Sequence, residues 1–545
     1  MIQELSLTGK RWIIPEKEIE TSAILESLLS DRGIDPDQDG ELIDPTLIHD
    51  VPKAVKRIRK AIKKGETIGI FGDYDCDGVT SALIMMRYFK RQGIDPLIRL
   101  PHRIHDGYGI KEHIIGEFAQ KGTDLLITVD SGIGSINEIA RAKEIGIDVI
   151  ITDHHHVGKR LPQAHAIVHP ALSSKYPEPY PSGSGVTFHL VRALEDGDWE
   201  DMHIDQALAM LGTIADVMEL RGQNRTMVKQ GIAALNKLND EPLAALIKSA
   251  GLNKYKVTST DIAFRIAPRI NAAGRISDPL IALQALMNGG EALEHINELN
   301  ELRQSQTEKF MNKALEQIGD CRSTALIAIA HEDFPQGIVG LIAGKLTEKF
   351  GKPSLVGRIH DGLCTASLRS PECYHITKGL ERCKKLLQYY GGHAQAAGCS
   401  FRADLFEKVS KELCRDAEKQ TDPEELVPTI NIDAVLDANS VTLDLCNNLK
   451  QLEPFGQGNR EPVFMIENVK IDYPRLVGKE ENHLQGKIEG TKMIGFRLGE
   501  VFGQISETVD VICRLGTDSW QGTTQPQLFI EDIRVTKPKK VLTAT

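Results

Sequence analysis

From residue 66 onward, short apolar runs alternate with helical segments, and this alternation restricts the fold more than any other feature. "ETIGIF" (66–71), "DPLIRL" (95–100), "DLLITVD" (124–130), "DVIITDHHH" (148–156) and "HAIVHP" (165–170) are rich in Ile, Leu and Val. Between them lie "VTSALIMMRYFKRQG" (79–93) and "INEIARAKEIG" (136–146), amphipathic stretches that end in glycine. Strands apolar throughout and joined through helices predict a parallel sheet covered on both faces. From about 185 to 320 the pattern is helical, and 290–319 reads as one long helix. A second α/β pattern runs from "TALIAIA" (324–330) to "GGHAQAAGCSF" (391–401). After a polar stretch, "EKQTDPEELVP" (418–428), short strands separated by Gly, Asp and Asn turns suggest a small barrel.

A chain of 545 residues exceeds what one hydrophobic core supports. The expected division is a lead segment over 1–50, a first α/β domain over 51–289, a linking helix over 290–320, a second α/β domain over 321–425 and a β domain over 426–545. The first 20 residues lack the apolar stretch of a signal peptide, and no run is long enough to span a membrane. Nine scattered cysteines without a CxxC pair read as thiols of a reducing compartment, with the cytoplasm as the expected location. The net charge of −11 speaks weakly against nucleic acid, but local patches decide binding and a carboxylate site contributes to the total. The basic "KAVKRIRKAIKKGE" (53–66) reads as an amphipathic helix with Ala54, Ile58, Ala61 and Ile62 inward.

Acids stand where these apolar elements end. "TIGIF" runs into Asp73, Asp75 and Asp77, "LLITV" into Asp130, and "VIIT" into Asp153, His154 and His155, while Asp216 closes the helical "LGTIAD". Ligands of open parallel sheets bind beyond the carboxyl ends of the strands, so these groups are expected to converge on one edge. Bare carboxylates this close would raise one another's pKa, and divalent cations remove the conflict. Oxygen ligands with one or two imidazoles suit Mn²⁺ or Mg²⁺, with enough ligands for two ions of a hydrolytic pair. The bland alternative is a set of capping aspartates with a satisfied histidine pair.

With "GDYDCDG" (72–78), "VDSGIG" (129–134), "TDHH" (152–155) and "GTIADVMEL" (212–220), the chain resembles the DHH phosphoesterases and, within them, the RecJ group of single-strand-specific exonucleases. "RINAAGRISDP" (269–279), "GIVGLIAGKL" (337–346), "SLRS" (367–370), "GGHAQAAG" (391–398), "LEPFGQGNREPVF" (452–464) and "DSWQGTTQPQLFIEDI" (518–533) extend the likeness over nearly the whole chain. The resemblance implies a DHH domain, a long helix, a DHHA1 domain and an OB-fold, and a Mn²⁺- or Mg²⁺-dependent 5′→3′ exonuclease acting on single-stranded DNA in repair and recombination. It implies Asp75, Asp77, Asp130, His154 and Asp216 as metal ligands, with Asp130 bridging two ions and Asp73 completing one shell. His155 is expected at the phosphate or a bound water and His156 at the surface. Two positions depart from the pattern. Phe71 stands where the phosphatase branch has a histidine ligand, and Phe334–Pro335 precede "GIVG" where an aromatic and a histidine are common.

An exonuclease must hold an end, and forked arginine donors suit a terminal phosphate. Arg103, Arg275, Ser367 and Arg369 are the candidates, with Gly391, Gly392 and His393 as a backbone and imidazole contribution. In the barrel Phe464, Tyr473, Phe496, Trp520 and Phe529 could stack bases. Core packing is the expectation for most of them, with Trp520, in the turn-like "TDSWQGTT", the exposed one. A monomer is expected, working with a helicase or a single-strand-binding protein. Competing readings are a phosphodiesterase for short RNA or cyclic dinucleotides, which has no need of a strand-binding barrel, and a catalytically dead replication scaffold, which would be expected to have lost acids.

Overall fold

A computed structural model describes residues 5–536 apart from 17–18, 36–39, 198, 240, 320, 322–323 and 521. The chain forms two compact units, one of Pro36–Gln306 with Glu453–Arg460, the other of Met1–Asp35, Thr307–Leu452 and Glu461–Thr545.

The first unit is built on a five-stranded parallel sheet in the order Leu97–Arg99, Ile68–Phe71, Leu125–Val129, Asp148–Thr152, Ala166–Val168. Alternate residues of each strand meet different helix layers. Ile68, Ile70, Leu125, Ile127 and Ile150 join the cluster of helices Cys76–Arg91, Gly183–Glu195 and Met202–Ala215. Phe71, Leu126, Val149 and Ile151 join Ile114, Ile115, Phe118, Ile139 and Ala142 on the other side. Both faces are dry, which is why these strands read as continuous apolar runs rather than alternating ones. Phe71 is a core side chain with no role at the edge.

From Ile68–Phe71 the chain passes outward to Leu97–Arg99, then returns to pair Leu125–Val129 on the other flank. The loops after Ile68–Phe71 and Leu125–Val129 therefore leave in opposite directions and open a crevice at the strands' carboxyl ends. The basic segment is the helix Val51–Lys64, with Ala54, Ile58 and Ala61 buried and Ile62 partly so. Its buried Arg57 is paired with Glu66 and Asp148.

The long helical segment is a single helix, Gly290–Ile318. In the second unit a five-stranded sheet runs in the order Tyr389–Gly392, Ala396–Arg402, Leu363–Arg369, Ser354–His360, Ile327–His331. Only its last pair is parallel. Phe334 is buried there edge-on to Phe310, so it serves packing. A seven-stranded sheet follows, ordered Ala434–Leu436, Phe464–Val469, Val509–Trp520, Thr523–Val535, Thr491–Gly495, His483–Ile488, Asp472–Val477. Residues near the amino end pack on it through a separate two-stranded sheet. Strand Arg11–Ile13 pairs with Thr429–Asn431, and buried Trp12 packs on Ile432, Val463, Met465 and Ile512 while its Nε1 donates to Asp532 at 2.8 Å.

Candidate metal centre and substrate-binding residues

Each acid is set by a local feature of its element. Asp75 is the N-cap of helix Cys76–Arg91 and accepts from the amides of Asp77 and Gly78 at 3.1 Å. Ordinarily such a cap satisfies the helix end and nothing more. Here its position also places Asp77 one residue into the first turn, facing the start of another helix, where Asp77 accepts from the amides of Gly183 and Ser184 at 2.7 and 2.9 Å. Helix Met202–Ala215 passes so close that a Cβ on Gly212 would lie 2.2 Å from Asp77 Oδ1. That helix ends one residue before Asp216, its C-cap. Asp130 leaves its strand in the left-handed region, φ 55°, a conformation Asp tolerates better than most residues.

Three groupings result: Asp73, Asp75 and Asp130; Asp77, His154 and Asp216; and Asp130, His154 and His155, with one potential ligand atom from each residue within 4.8 Å of the others. His154 Nε2 is 3.1 Å from Asp130 Oδ1, 3.5 Å from Asp216 Oδ2 and 3.8 Å from Asp77 Oδ2. The two sets of carboxylates thus flank His154 and Asp130.

The electrostatics follow from burial. Asp73 is pushed up to about 8 by burial and then by Asp75. Asp75, Asp130 and Asp216 are raised by burial and then by Asp77. Burial lowers His154 to about 4, leaving its imidazole neutral with a lone pair to offer. His155 behaves oppositely. Burial opposes its charge, but the hydrogen bond from Nδ1 to Asp153 Oδ1 at 2.7 Å and the surrounding carboxylates raise it to about 9. Burial likewise opposes charge on Asp153, yet the His155 contact holds that carboxyl below its usual range.

The residues present fit divalent cations. Asp73 Oδ1, Asp130 Oδ1 and His154 Nε2 are buried without a hydrogen-bond partner. Buried polar atoms in native proteins rarely stay unpaired, and those that do mark an ion, a water or a reaction centre. All three belong to the groupings above, and every donor is oxygen or imidazole.

Sequence reasoning did not assign Asp153 a role. It accepts from the amides of Ile133, His154 and His155 and so shapes the loop that carries both histidines. Tyr108 was also missed; its ring meets His155 edge-on at 5.6 Å. The glycine pair of "DGYG" was the available signal. His156 is exposed, as expected.

In the first unit Arg103 lies over the ring of Tyr74, and Arg275 closes helix Ala267–Ile276 near the same phenol. In the second unit Ser367, Arg369, Gly391 and Gly392 come from adjacent strands: Ser367 and Gly391 both pair with Gly398, and Arg369 pairs with Ala396. The His393 amide donates to Ala396 O at 2.7 Å. A Cβ on Gly340 of "GIVG" would lie 3.3 Å from an Arg369 nitrogen and 3.5 Å from Ser367 Oγ, so three separated motifs share one surface.

The barrel aromatics correct the expectation. Phe464 is fully buried and Phe529 partly so, but Tyr473 is 82% and Phe496 59% exposed. Tyr473 sits at a register shift in the edge strand Asp472–Val477, with φ 50°, and Phe496 follows Thr491–Gly495 and meets His483 at 5.3 Å. The register shift at Tyr473 turns its side chain outward, and Phe496 lies past the end of its strand, where alternation no longer applies. "TDSWQGTT" is the tip of the long hairpin Val509–Trp520/Thr523–Val535, and the Trp520 side chain lies outside the described residues.

Three family models match: the DHH family N-terminal domain over 67–215, the DHHA1 domain over 323–419 and the RecJ OB domain over 432–532. The single-stranded-DNA-specific exonuclease RecJ of Bacillus subtilis is 32% identical over 96% of this chain and 69% of its own length. The chain belongs to the RecJ family of single-stranded-DNA-specific exonucleases. The Escherichia coli RecJ is 31% identical over 86% of this chain and 87% of its own. The crystal structure of Thermus thermophilus RecJ in complex with Mn²⁺ superimposes with a TM-score of 0.84 at 28% identity, over 98% of this chain and 80% of that one. Its Mg²⁺ complex gives 0.78 at 27% identity, over 97% and 79%. The RecJ architecture of DHH, DHHA1 and OB domains in a mixed α/β chain is thereby present here in order.

Proposed function

We propose that this chain is a 5′→3′ exonuclease that hydrolyses phosphodiesters of single-stranded DNA at a site for two divalent cations. The observation that carries the reading is the convergence of three partnerless buried ligand atoms, on Asp73, Asp130 and His154, among carboxylates whose mutual repulsion the nearby His155 and Arg103 charges offset only in part. Asp73 and Asp75 would hold one cation and Asp77, His154 and Asp216 the other, with Asp130 between them. Bound cations at such a site lower the pKa of water and stabilise charge on the attacking and leaving oxygens. Asp77 is kept in place by the Gly183 and Ser184 amides, so its orientation is set before anything binds. His155, fixed through Nδ1 by Asp153, has Nε2 left to donate to a phosphoryl oxygen.

Arg103 and Arg275 in one unit, and Ser367, Arg369, Gly391, Gly392 and His393 in the other, supply donors for phosphates. Tyr473 and Phe496 supply exposed rings for bases. The relatives named RecJ and the RecJ OB match support single-stranded DNA over a dinucleotide substrate, and the filled acid positions support catalysis over a scaffold role. The domain divisions at 50, 289, 320 and 425, a monomeric state, a cytoplasmic setting and a helicase or single-strand-binding partner belong to the same reading. Nine cysteines without a disulfide fit a reducing compartment, and among the described residues no helix is long and apolar enough to cross a membrane.

The test is digestion of 5′- and 3′-labelled single-stranded and duplex DNA with Mn²⁺, Mg²⁺ or EDTA. Mononucleotides released from the 5′ end of single strands, and silence in EDTA, are expected. Release from the 3′ end, or equal action on duplex ends, would overturn the reading.

A further inference from the structure

Tyr74 stands between two of the proposed ligands yet belongs to none of the ion-binding groups. The backbone at Asp75 is extended, φ −93° and ψ −175°, and along an extended chain successive side chains leave on opposite sides. Asp73 and Asp75 gather with Asp130, whereas the Tyr74 ring meets Arg103, whose guanidinium carbon is 4.4 Å from the ring centroid. Arg103 makes no salt bridge among the described residues, and its buried Nε has no hydrogen-bond partner. A buried guanidinium nitrogen normally acquires a carboxylate or carbonyl partner. Arg103 is half-buried, its charge acts on Asp73 and Asp75 without a salt bridge to either, and its close contact is the π face of Tyr74.

Tyr74 is itself clamped. Helix Ala267–Ile276 crosses so close behind it that a Cβ on Gly274 would lie 2.2 Å from the Tyr74 carbonyl oxygen. One turn earlier, Asn271 Oδ1 accepts from the Cys76 amide at 2.8 Å. The residue after Gly274 is Arg275, whose charge acts on the Tyr74 phenol. One aromatic ring is therefore fixed between the metal-ligand loop and two arginines from different elements.

We propose that Tyr74 is a positioning residue for recognition of the 5′ end: its ring is the shelf that fixes the Arg103 guanidinium, with Arg275 alongside, so that their donors face a terminal phosphate at a set distance from the cluster of acids. The inference rests on the exonuclease reading above and adds to it the residue that couples end recognition to the site of chemistry. The ring face, not the hydroxyl, carries this role, because the attraction is between the guanidinium and the π quadrupole.

The experiment compares kcat and KM on 3′-fluorescein dT8 carrying a 5′-phosphate or a 5′-hydroxyl, for Tyr74→Leu, Tyr74→Phe, Arg103→Ala and the Tyr74→Leu/Arg103→Ala double variant. Tyr74→Met, of closer volume but without a π face, replaces the leucine if that variant does not fold. Tyr74→Leu should lower the phosphate-over-hydroxyl ratio of kcat/KM roughly 2- to 30-fold, mainly through KM. Tyr74→Phe should restore the ratio to within about twofold, and in the Arg103→Ala background the leucine should have no further effect on it, because both act through one contact. A ratio unchanged in Tyr74→Leu but lowered in Arg103→Ala overturns the inference and leaves the end-binding reading standing. So does a loss in Tyr74→Leu that is equal on both ends and accompanied by a smaller thermal shift with Mn²⁺, which would mark Tyr74 as a prop for the ligand loop alone. A ratio unchanged in Arg103→Ala overturns the end-binding reading together with the inference.

Discussion

Asp73→Asn removes one charge from the acid cluster and almost no volume. Asp73 is 4% exposed, and burial with Asp75 beside it raises its carboxyl from 3.8 to about 8. A carboxyl whose pKa is higher in the folded state binds its proton more tightly there. Its contribution favours folding at low pH and is lost as pH rises from the unfolded value through about 8. A rise of that size corresponds to about 6 kcal/mol at 1.36 kcal/mol per pH unit. Water entering the metal-free site relieves part of it, so the substitution should recover about 2–4 kcal/mol at pH 8 in EDTA. For a unit of this size that is a rise of about 3–7 °C in Tm, shrinking toward zero near pH 4. With saturating Mn²⁺ the order should reverse, because an amide oxygen is a poorer ligand for a hard cation than a carboxylate. Wild type should then gain more Tm on addition of Mn²⁺ than the variant, and the variant should need more Mn²⁺ for half-maximal cleavage. Differential scanning fluorimetry from pH 5 to 8, with EDTA or Mn²⁺, measures both arms. A variant less stable than wild type in EDTA at pH 8, with an equal Mn²⁺ shift in the two proteins, would refute both the electrostatic reasoning and the ligand role of Asp73.

Asp130→Ala should abolish cleavage by at least about a thousandfold while far-ultraviolet circular dichroism stays that of the wild type, since it removes the carboxylate shared by two ligand groups; near-normal turnover would count against a two-cation centre. Arg275→Ala or Arg369→Ala should weaken preference for a 5′-phosphorylated strand roughly 10- to 150-fold, the range of a buried charge-assisted hydrogen bond, read as a ratio of rates on phosphorylated and unphosphorylated ends. Tyr473→Ala and Phe496→Ala should each raise KM on long single strands by about 5- to 150-fold with little change on trinucleotides, because stacking contributes about 1–3 kcal/mol per base. An unaltered KM would make the exposed rings a protein interface instead. Point substitutions are the better probe of this sheet, since cutting it away would strip buried Trp12 of Asp532 and of its apolar neighbours.

The parallel sheet and the position of the acids were legible in the sequence because both depend on local pattern. Strands buried on two faces cannot alternate with polar residues, and a loop beyond a strand's carboxyl end is where an acid that is not part of the core must lie. The same logic placed Asp216 at the end of its helix and turned Ala54, Ile58 and Ala61 inward. What local pattern does not contain is which segments face one another. Asp153 had no role assigned from "DHH", yet the fold uses it to hold His155 and to accept from three backbone amides. Gly183 and Ser184, 106 and 107 residues beyond Asp77 in the chain, fix that carboxylate through backbone amides, which carry no side-chain signature. Tyr473 points outward where the register of its strand shifts, since a one-residue shift reverses the face that every alternation rule assigns, and Phe496 lies just past the end of its strand, outside the reach of alternation. Trp12 shows the longest reach. Its burial depends on strands more than 400 residues away in the chain, and only their assembly decides that a segment near the amino end becomes part of the carboxyl-terminal sheet's core.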